Sequence, residues 1–250
     1  MQITKILAVL PLYHKEEETL DCLKAFSETN LEGLGLSVVL AVNGASETFL
    51  DKLKGIQTGD LPGIPNGASA HMLQLPNPGK GVAVNTAVSI YAQHPDFILS
   101  LDSDMVPVSP LWLRILTDSY QRLVLDPSCR LGALATQQVG MCCHVPVEPR
   151  FHTYKEFSYT FARHNQGIAG GCILTPYSVW CELGGYKAHR VYGSDDAFYM
   201  QDLHEAGYEA AIAENCVLYH PSNTDPCYAD WKRRACQDKL TEKEMKGYFE

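Results

Sequence analysis

The sequence predicts an α/β protein with a mostly parallel central sheet flanked by helices, and three observations carry that expectation. Short, nearly continuous apolar runs recur at ILAVL, LSVVLAV, HMLQL and FILSL, as strands covered on both faces require. Between these runs lie stretches whose apolar residues repeat at helical spacing. The connections are short, and such alternation implies crossover helices packed on a parallel sheet. A chain of 250 residues with 46% hydrophobic and 20% charged residues is also long and apolar enough to bury a sizeable core.

The elements follow in order. The first strand, residues 6–10, is closed by Pro11. In EEETLDCLKAFSETN, Leu20, Leu23 and Phe26 mark one face of a helix, with acidic residues in the first turn where the helix dipole favours them. LSVVLAVNG is a second strand closed by Asn43 and Gly44, and SETFLDKLKGI a second helix. Residues 57–70, rich in Gly and Pro, predict a surface loop. HMLQL, GKGVAVNTAVSIYAQH and FILSL then predict a third strand, a third helix and a fourth strand.

Beyond Asp104 the pattern loosens. PLWLRILTDSYQRLVLDP predicts an amphipathic helix, and LGALATQQVG opens a mixed region with strand-like pieces out to RFHTYKEFSYTF. AGGCILTPYSVWCELGGY reads as strand, turn, helix and a Gly-Gly stop. DDAFYMQDLHEAGY predicts a helix through Phe198, Met200 and Leu203, and EAAIAENCVLYHP a strand pair or one bent strand. The charged tail predicts a helix, and no repeat or long linker divides the chain.

The net charge of −9 opposes a broad electrostatic grip on nucleic acid or an anionic membrane, so a nucleic-acid acceptor has no support from charge. The run ILAVLPLY is too short for a membrane span and carries no small-residue cleavage site. Nine scattered cysteines, an odd number, fit reduced thiols, and a cytoplasmic location is expected. Cys142, Cys143, His144 and His152 suggest zinc, but adjacent cysteines are not the usual ligand spacing, and buried thiols are the preferred reading.

Chemistry concentrates where strands end. In open parallel sheets ligands bind at the carboxyl ends of strands, where strand order reverses. Tyr13 to Glu16, Asn43 with Gly44, Asn77 to Lys80, and Asp102 to Asp104 all fall at such ends. In an extended segment Asp102 and Asp104 project to one side, which suits a solvated turn or a divalent-cation site of hard oxygen ligands. NPGKG opens the third helix with Lys80 and backbone suited to an anion, without the ending of a Walker loop. Asp195 and Asp196 start a helix, either as a cap or with one of them a general base.

The order of these motifs resembles an inverting, nucleotide-sugar-dependent glycosyltransferase of the GT-A fold, family 2 type. ILAVLPLYHKEEETLDCLKAF is similar to that family's opening strand, P-x-Y-N-x-E loop and helix, LAVNGAS to its second-strand motif, and NPGKGVAVNTAV to its N-x-G-x-x-x-A-x-N segment. LSLDSDMVP matches its D-x-D segment, AGGCILTPYSVWCELGGY its acceptor-side segment, SDDAFYMQDLHEAGY its acidic helix and LYHP its closing His.

The resemblance implies a single GT-A domain over 1–250, with a nucleotide-binding half (1–105), an acceptor or catalytic half (106–222) and a helical tail (223–250). It implies Mn2+ or Mg2+ held by Asp104 and His220, with Asp102 on the metal or the ribose beside Ser103. Pro11, Tyr13, Glu16 and Asn43 would surround the nucleotide and Lys80 the base or phosphates. Asp196, with Asp195 beside it, would deprotonate the acceptor hydroxyl.

The donor implied is a nucleotide-diphosphate sugar, a UDP-sugar favoured, although Val42 stands where the family usually has Asp, and Asp202 where it often has Arg. The acceptor, whether saccharide, lipid-linked or another hydroxyl, is not specified. Phe151, Tyr154, Phe157 and Tyr159 suit either stacking on a ligand or core packing. A nucleotidyltransferase building sugar nucleotides fits less well, because PLYHKEEE lacks a Gly-rich basic loop. A non-catalytic sugar-nucleotide-binding protein is the remaining alternative.

Overall fold

The structure is a computed structural model that describes residues 3–13, 15–43, 45–76, 79–140, 151–154, 157–162, 168–187, 195–221 and 234. Gly44, Asn77, Cys142, Cys143, His144 and the tail apart from Arg234 lie outside the described residues, as do the side chains of Phe151, His152, Tyr154 and Phe157.

The first strand, β1 (Thr4–Leu12), is a central one: it pairs in parallel with β2 (Leu34–Val42) on one side and β4 (Phe97–Leu101) on the other. Residues 6–12 are buried without a break, which is why the run is apolar at every position rather than at alternate ones. The two faces still differ. Ile6, Ala8, Leu10 and Leu12 pack with Leu23 and Phe26 of α1 (Glu16–Ser27), Phe49 and Leu53 of α2 (Glu47–Thr58), and Trp112 and Leu116 of α4 (Trp112–Leu123). Leu7 and Val9 face the other way, onto Ala83, Val84 and Ala87 of α3 (Lys80–Tyr91), Trp180 of α5 (Tyr177–Leu183) and Tyr199 of α6 (Asp195–Glu205). Each such leucine contributes about 2 kcal/mol by leaving water, so the period-two alternation fixes which helices cover which face.

Helix limits follow local chemistry. Ser46 caps α2 by accepting the Phe49 N–H at 3.1 Å, and Gly59, at φ 85°, ends it in the left-handed region that glycine adopts without strain. The Gly/Pro-rich loop is therefore shorter than expected, since β3 (Ser69–Gln74) already begins at Ser69.

Strand order is β3-β2-β1-β4-β9-β6-β10-β8-β7, with β5 (Val106–Pro107) off this path against β10 (Glu209–Tyr219). The first four strands are parallel, as expected. Beyond them the sheet is mixed: β9 (Cys172–Pro176) runs antiparallel to β4 and to β6 (Leu131–Val139), and β8 (Phe157–Phe161), antiparallel to β10, leads to β7 (Phe151–Tyr154).

The last apolar stretch forms one strand, β10, bent by register shifts against β6, the larger between Ala213 and Val217. In α6 the buried apolar residues are Tyr199, Met200 and Leu203, while Phe198 is only half-buried. Tyr159, offered above as a stacking residue, is fully buried in the core. Among the described residues no helix is long and apolar enough to cross a membrane.

Candidate functional site

The chain runs from β1 to β2 and β3 on one side, then returns to β4 on the other side of β1. That reversal opens a crevice at the carboxyl ends of β1 and β4, where Tyr13, Lys15 and residues 102–104 emerge.

The chain does not stay extended through the two aspartates. β4 ends at Leu101, and the Met105 N–H donates to the Asp102 carbonyl at 3.1 Å, closing a turn. The expected shared face is therefore lost, and each carboxylate takes its own cation. Asp102 pairs with Lys80 at the start of α3, and Asp104 with Lys15 at 2.7 Å, at the start of α1. Burial pushes the Asp102 carboxyl up, and the Lys80 ammonium only partly offsets it. For Asp104 burial acts in the same direction, but Lys15 and then His220 outweigh it and hold the carboxyl below its ordinary value. Ser103, between them, is buried.

β5 makes the next connection. Its two residues pair antiparallel with the end of β10, Val106 opposite Tyr219 and Pro107 opposite Leu218. Pro107 sits in a short strand where its missing N–H is tolerated. The pairing carries His220 to Asp104, with Nε2 3.7 Å from Oδ1. The backbone N–H of His220 donates to the Val139 carbonyl at 2.8 Å.

A second set of contacts joins the other expected carboxylates. Lys80 Nζ donates to the Gly170 carbonyl at 2.8 Å, and the Gly170 N–H donates to Asp196 Oδ2 at 3.0 Å. The Ala197 N–H donates to Asp196 Oδ1 at 2.9 Å. A Cβ on Gly170 would lie 2.5 Å from Asp196 Cβ and Oδ2, so only glycine admits that carboxylate. On the next residue, the Gly171 carbonyl accepts the Asp102 N–H at 2.7 Å. The Gly-Gly pair thus touches both aspartate regions through its backbone.

Asp195 differs from its neighbour. It is buried, and the Gly81 backbone N–H donates to it, pinning the start of α6 to the start of α3. Burial pushes its carboxyl up to about 6 against the pull of Lys80 and that N–H. Asp196 is half-buried instead. Asp202, at the position where the family often has Arg, is buried and paired with Lys187.

Around the β1 and β2 ends, Pro11 is a buried part of β1 and Tyr13 is half-buried. Glu16 accepts from the Ser46 N–H at 3.0 Å and the Ser46 hydroxyl at 3.1 Å, so its carboxylate ties α1 to the cap of α2. Asn43 is buried, and its Oδ1 has no hydrogen-bond partner among the described residues. Val42 is buried in the core, so the base-contacting role of the family's Asp has no counterpart there.

No family model and no curated protein matches the sequence. Solved structures do match the fold. A mannosyltransferase from Pyrobaculum calidifontis, in complex with GDP-Man and Mn2+, superposes with a TM-score of 0.63 at 14% identity over 93% of this chain and 61% of that one. The fold is GT-A. S. aureus TarS 1-349 in complex with UDP-GlcNAc matches at a TM-score of 0.62 and 13% identity, over 89% of this chain and 59% of its own. This GT-A chain therefore spans about 60% of the length of these neighbours.

The residues expected to hold a cation in this GT-A fold meet only in part. Among the described residues no three His, Cys, Asp or Glu side chains converge on one point. Asp104 and His220 do approach each other; the carboxylate is a hard donor suited to Mn2+ or Mg2+, the imidazole favours the transition metal of the two, and a ligand's phosphate oxygens would complete the shell. Lys15 and the glycine pair escaped the motif reading. Lys15 lay within the loop already singled out and the glycine pair within AGGCILTPY, but neither was given a role of its own.

Proposed function

We propose that the chain is an inverting glycosyltransferase that moves a sugar from a nucleotide-diphosphate sugar, a UDP-sugar favoured, to an acceptor hydroxyl. One observation carries the reading: Lys80 and Gly170 link the Asp102 carboxylate, on the donor side, to the Asp196 carboxylate, on the acceptor side. An inverting displacement needs a base on the sugar face opposite the leaving group, and this network holds Asp196 at a fixed relation to Asp102.

In the displacement the acceptor oxygen bonds to the anomeric carbon as the bond from that carbon to the diphosphate breaks. The acceptor proton passes to Asp196, whose two backbone N–H partners fix its orientation while leaving lone pairs free. Asp195 positions α6 rather than reacting, since burial leaves it out of reach of a hydroxyl. Lys80 and Lys15 bring positive charge to the diphosphate. Asp104 and His220 would hold a Mn2+ or Mg2+ ion, which when bound would offer Lewis-acid neutralisation of the leaving diphosphate. The GT-A neighbours bound to GDP-Man and UDP-GlcNAc support this class of donor.

Donor binding and donor hydrolysis, measured on UDP- and GDP-sugars with and without Mn2+, test the reading. Asp104→Ala should abolish the metal dependence of binding. Asp196→Asn should bind donor normally and lose turnover. Metal-indifferent binding of every donor, or loss of donor binding in Asp196→Asn, overturns it.

A further inference from the structure

Lys15 is the residue of the crevice whose fixed place the motif pattern does not demand. It precedes α1 in the left-handed region, φ 50° and ψ 50°, a conformation that side-chain-bearing residues seldom adopt. It offers α1 no side-chain cap. Its side chain instead reaches Asp104, 89 residues away, and closes an ion pair at 2.7 Å between groups only 18% and 9% exposed. A strained backbone that delivers a cation onto a buried carboxylate marks a functional constraint.

The carboxylate it covers is the one that His220 approaches from β10. A free divalent cation seeking Asp104 therefore meets a carboxylate whose Oδ2 is held by an ammonium, and whose charge that ammonium already offsets in a largely desolvated pair. A nucleoside diphosphate changes that balance, because its phosphates both complete the metal's oxygen shell and give the displaced ammonium a new anion. The neighbouring carboxylate offers the cation no easier entry, since Asp102 is already paired with Lys80.

We propose that Lys15 is a built-in competitor for the cation at Asp104, holding the metal's place until metal and nucleoside diphosphate arrive together, after which its ammonium serves the diphosphate. The inference rests on the reading of Asp104 as a metal ligand. It makes cation and nucleotide binding strongly cooperative, and linkage requires each to tighten the other by the same factor.

The test is Mn2+ binding, followed by electron paramagnetic resonance of free Mn2+ and by calorimetry, with no ligand, with UDP and with GDP. The wild-type chain should bind Mn2+ weakly alone and at least about tenfold more tightly with one of the nucleotides. Lys15→Met, and Lys15→Gly, which suits the left-handed backbone, should bind Mn2+ alone about tenfold more tightly than wild type and lose most of the cooperativity. Lys15→Arg, which keeps the charge, should behave as wild type.

Unchanged nucleotide-free Mn2+ affinity in both Lys15→Met and Lys15→Gly overturns the inference. If that result accompanies wild-type binding that Asp104→Asn abolishes, the metal site stands and only the competitor role falls. If no variant binds Mn2+ under any condition, the metal reading of Asp104 falls and the inference with it.

Discussion

Lys80 and Gly170 are 90 residues apart in sequence and joined by a 2.8 Å hydrogen bond from the ammonium to the carbonyl, while the same ammonium pairs with Asp102. The amide on the other side of Gly170 holds Asp196. Burial, which alone lowers the Lys80 pKa, is outweighed by Asp102 and then Tyr186, so the lysine stays charged at any working pH.

Lys80→Met should therefore weaken both halves of the site at once. Donor KM should rise and kcat fall, with kcat/KM down about a hundredfold. Stability should drop by only about 1–2 kcal/mol, because both partners keep some contact with water, at 23% and 31% exposure. Steady-state kinetics with denaturant unfolding measures both; unchanged kcat/KM would show that the network is not used.

Gly170→Ala isolates the acceptor side. The added methyl must displace a carboxylate whose atoms would lie at 2.5 Å, shifting Asp196 while Lys80 and Asp102 keep their pairing. Turnover should fall about 10- to 100-fold with donor affinity held within about threefold. Calorimetric titration with the nucleotide beside a turnover assay separates the two.

Gly140→Ala should strike the His220 end. Gly140 sits at φ 96°, and a Cβ there would meet Tyr219 Cε2 at 2.5 Å and the His220 carbonyl at 2.7 Å. The substitution should cost about 1–3 kcal/mol in stability. Mn2+-dependent donor binding should weaken more than metal-free binding, read as the difference in melting temperature with and without the ion.

Asp195 gives a pH signature. Its folded-state pKa is raised from 3.8 to about 6, so its favourable contribution is complete below pH 3.8. That contribution is lost as pH rises to about 6, leaving the wild-type chain to hold a buried charge at neutrality. Asp195→Asn keeps an oxygen for the Gly81 N–H and removes the titration. Relative to wild type it should gain on the order of 2 kcal/mol between pH 4 and pH 7.5. Unfolding free energies at those two pH values check it, and a constant difference would place the Asp195 carboxyl at its ordinary pKa.

The sequence by itself determined the layered α/β plan, because burial of β1 on both faces and the helical spacing of Leu23 and Phe26 are local patterns that hydrophobic packing reads directly. It also brought Asp102, Asp104 and Asp196 forward, since acidic residues at strand ends and helix starts are legible as short motifs. Tertiary structure decided what those residues touch. The turn after Leu101 sent two adjacent carboxylates to different lysines, a two-residue strand invisible to periodicity carried His220 to Asp104, and glycine backbone tied Lys80 to Asp196. Each of these contacts joins segments far apart in the chain, and the charge of a lone Lys15 names no partner until the sheet has closed around it.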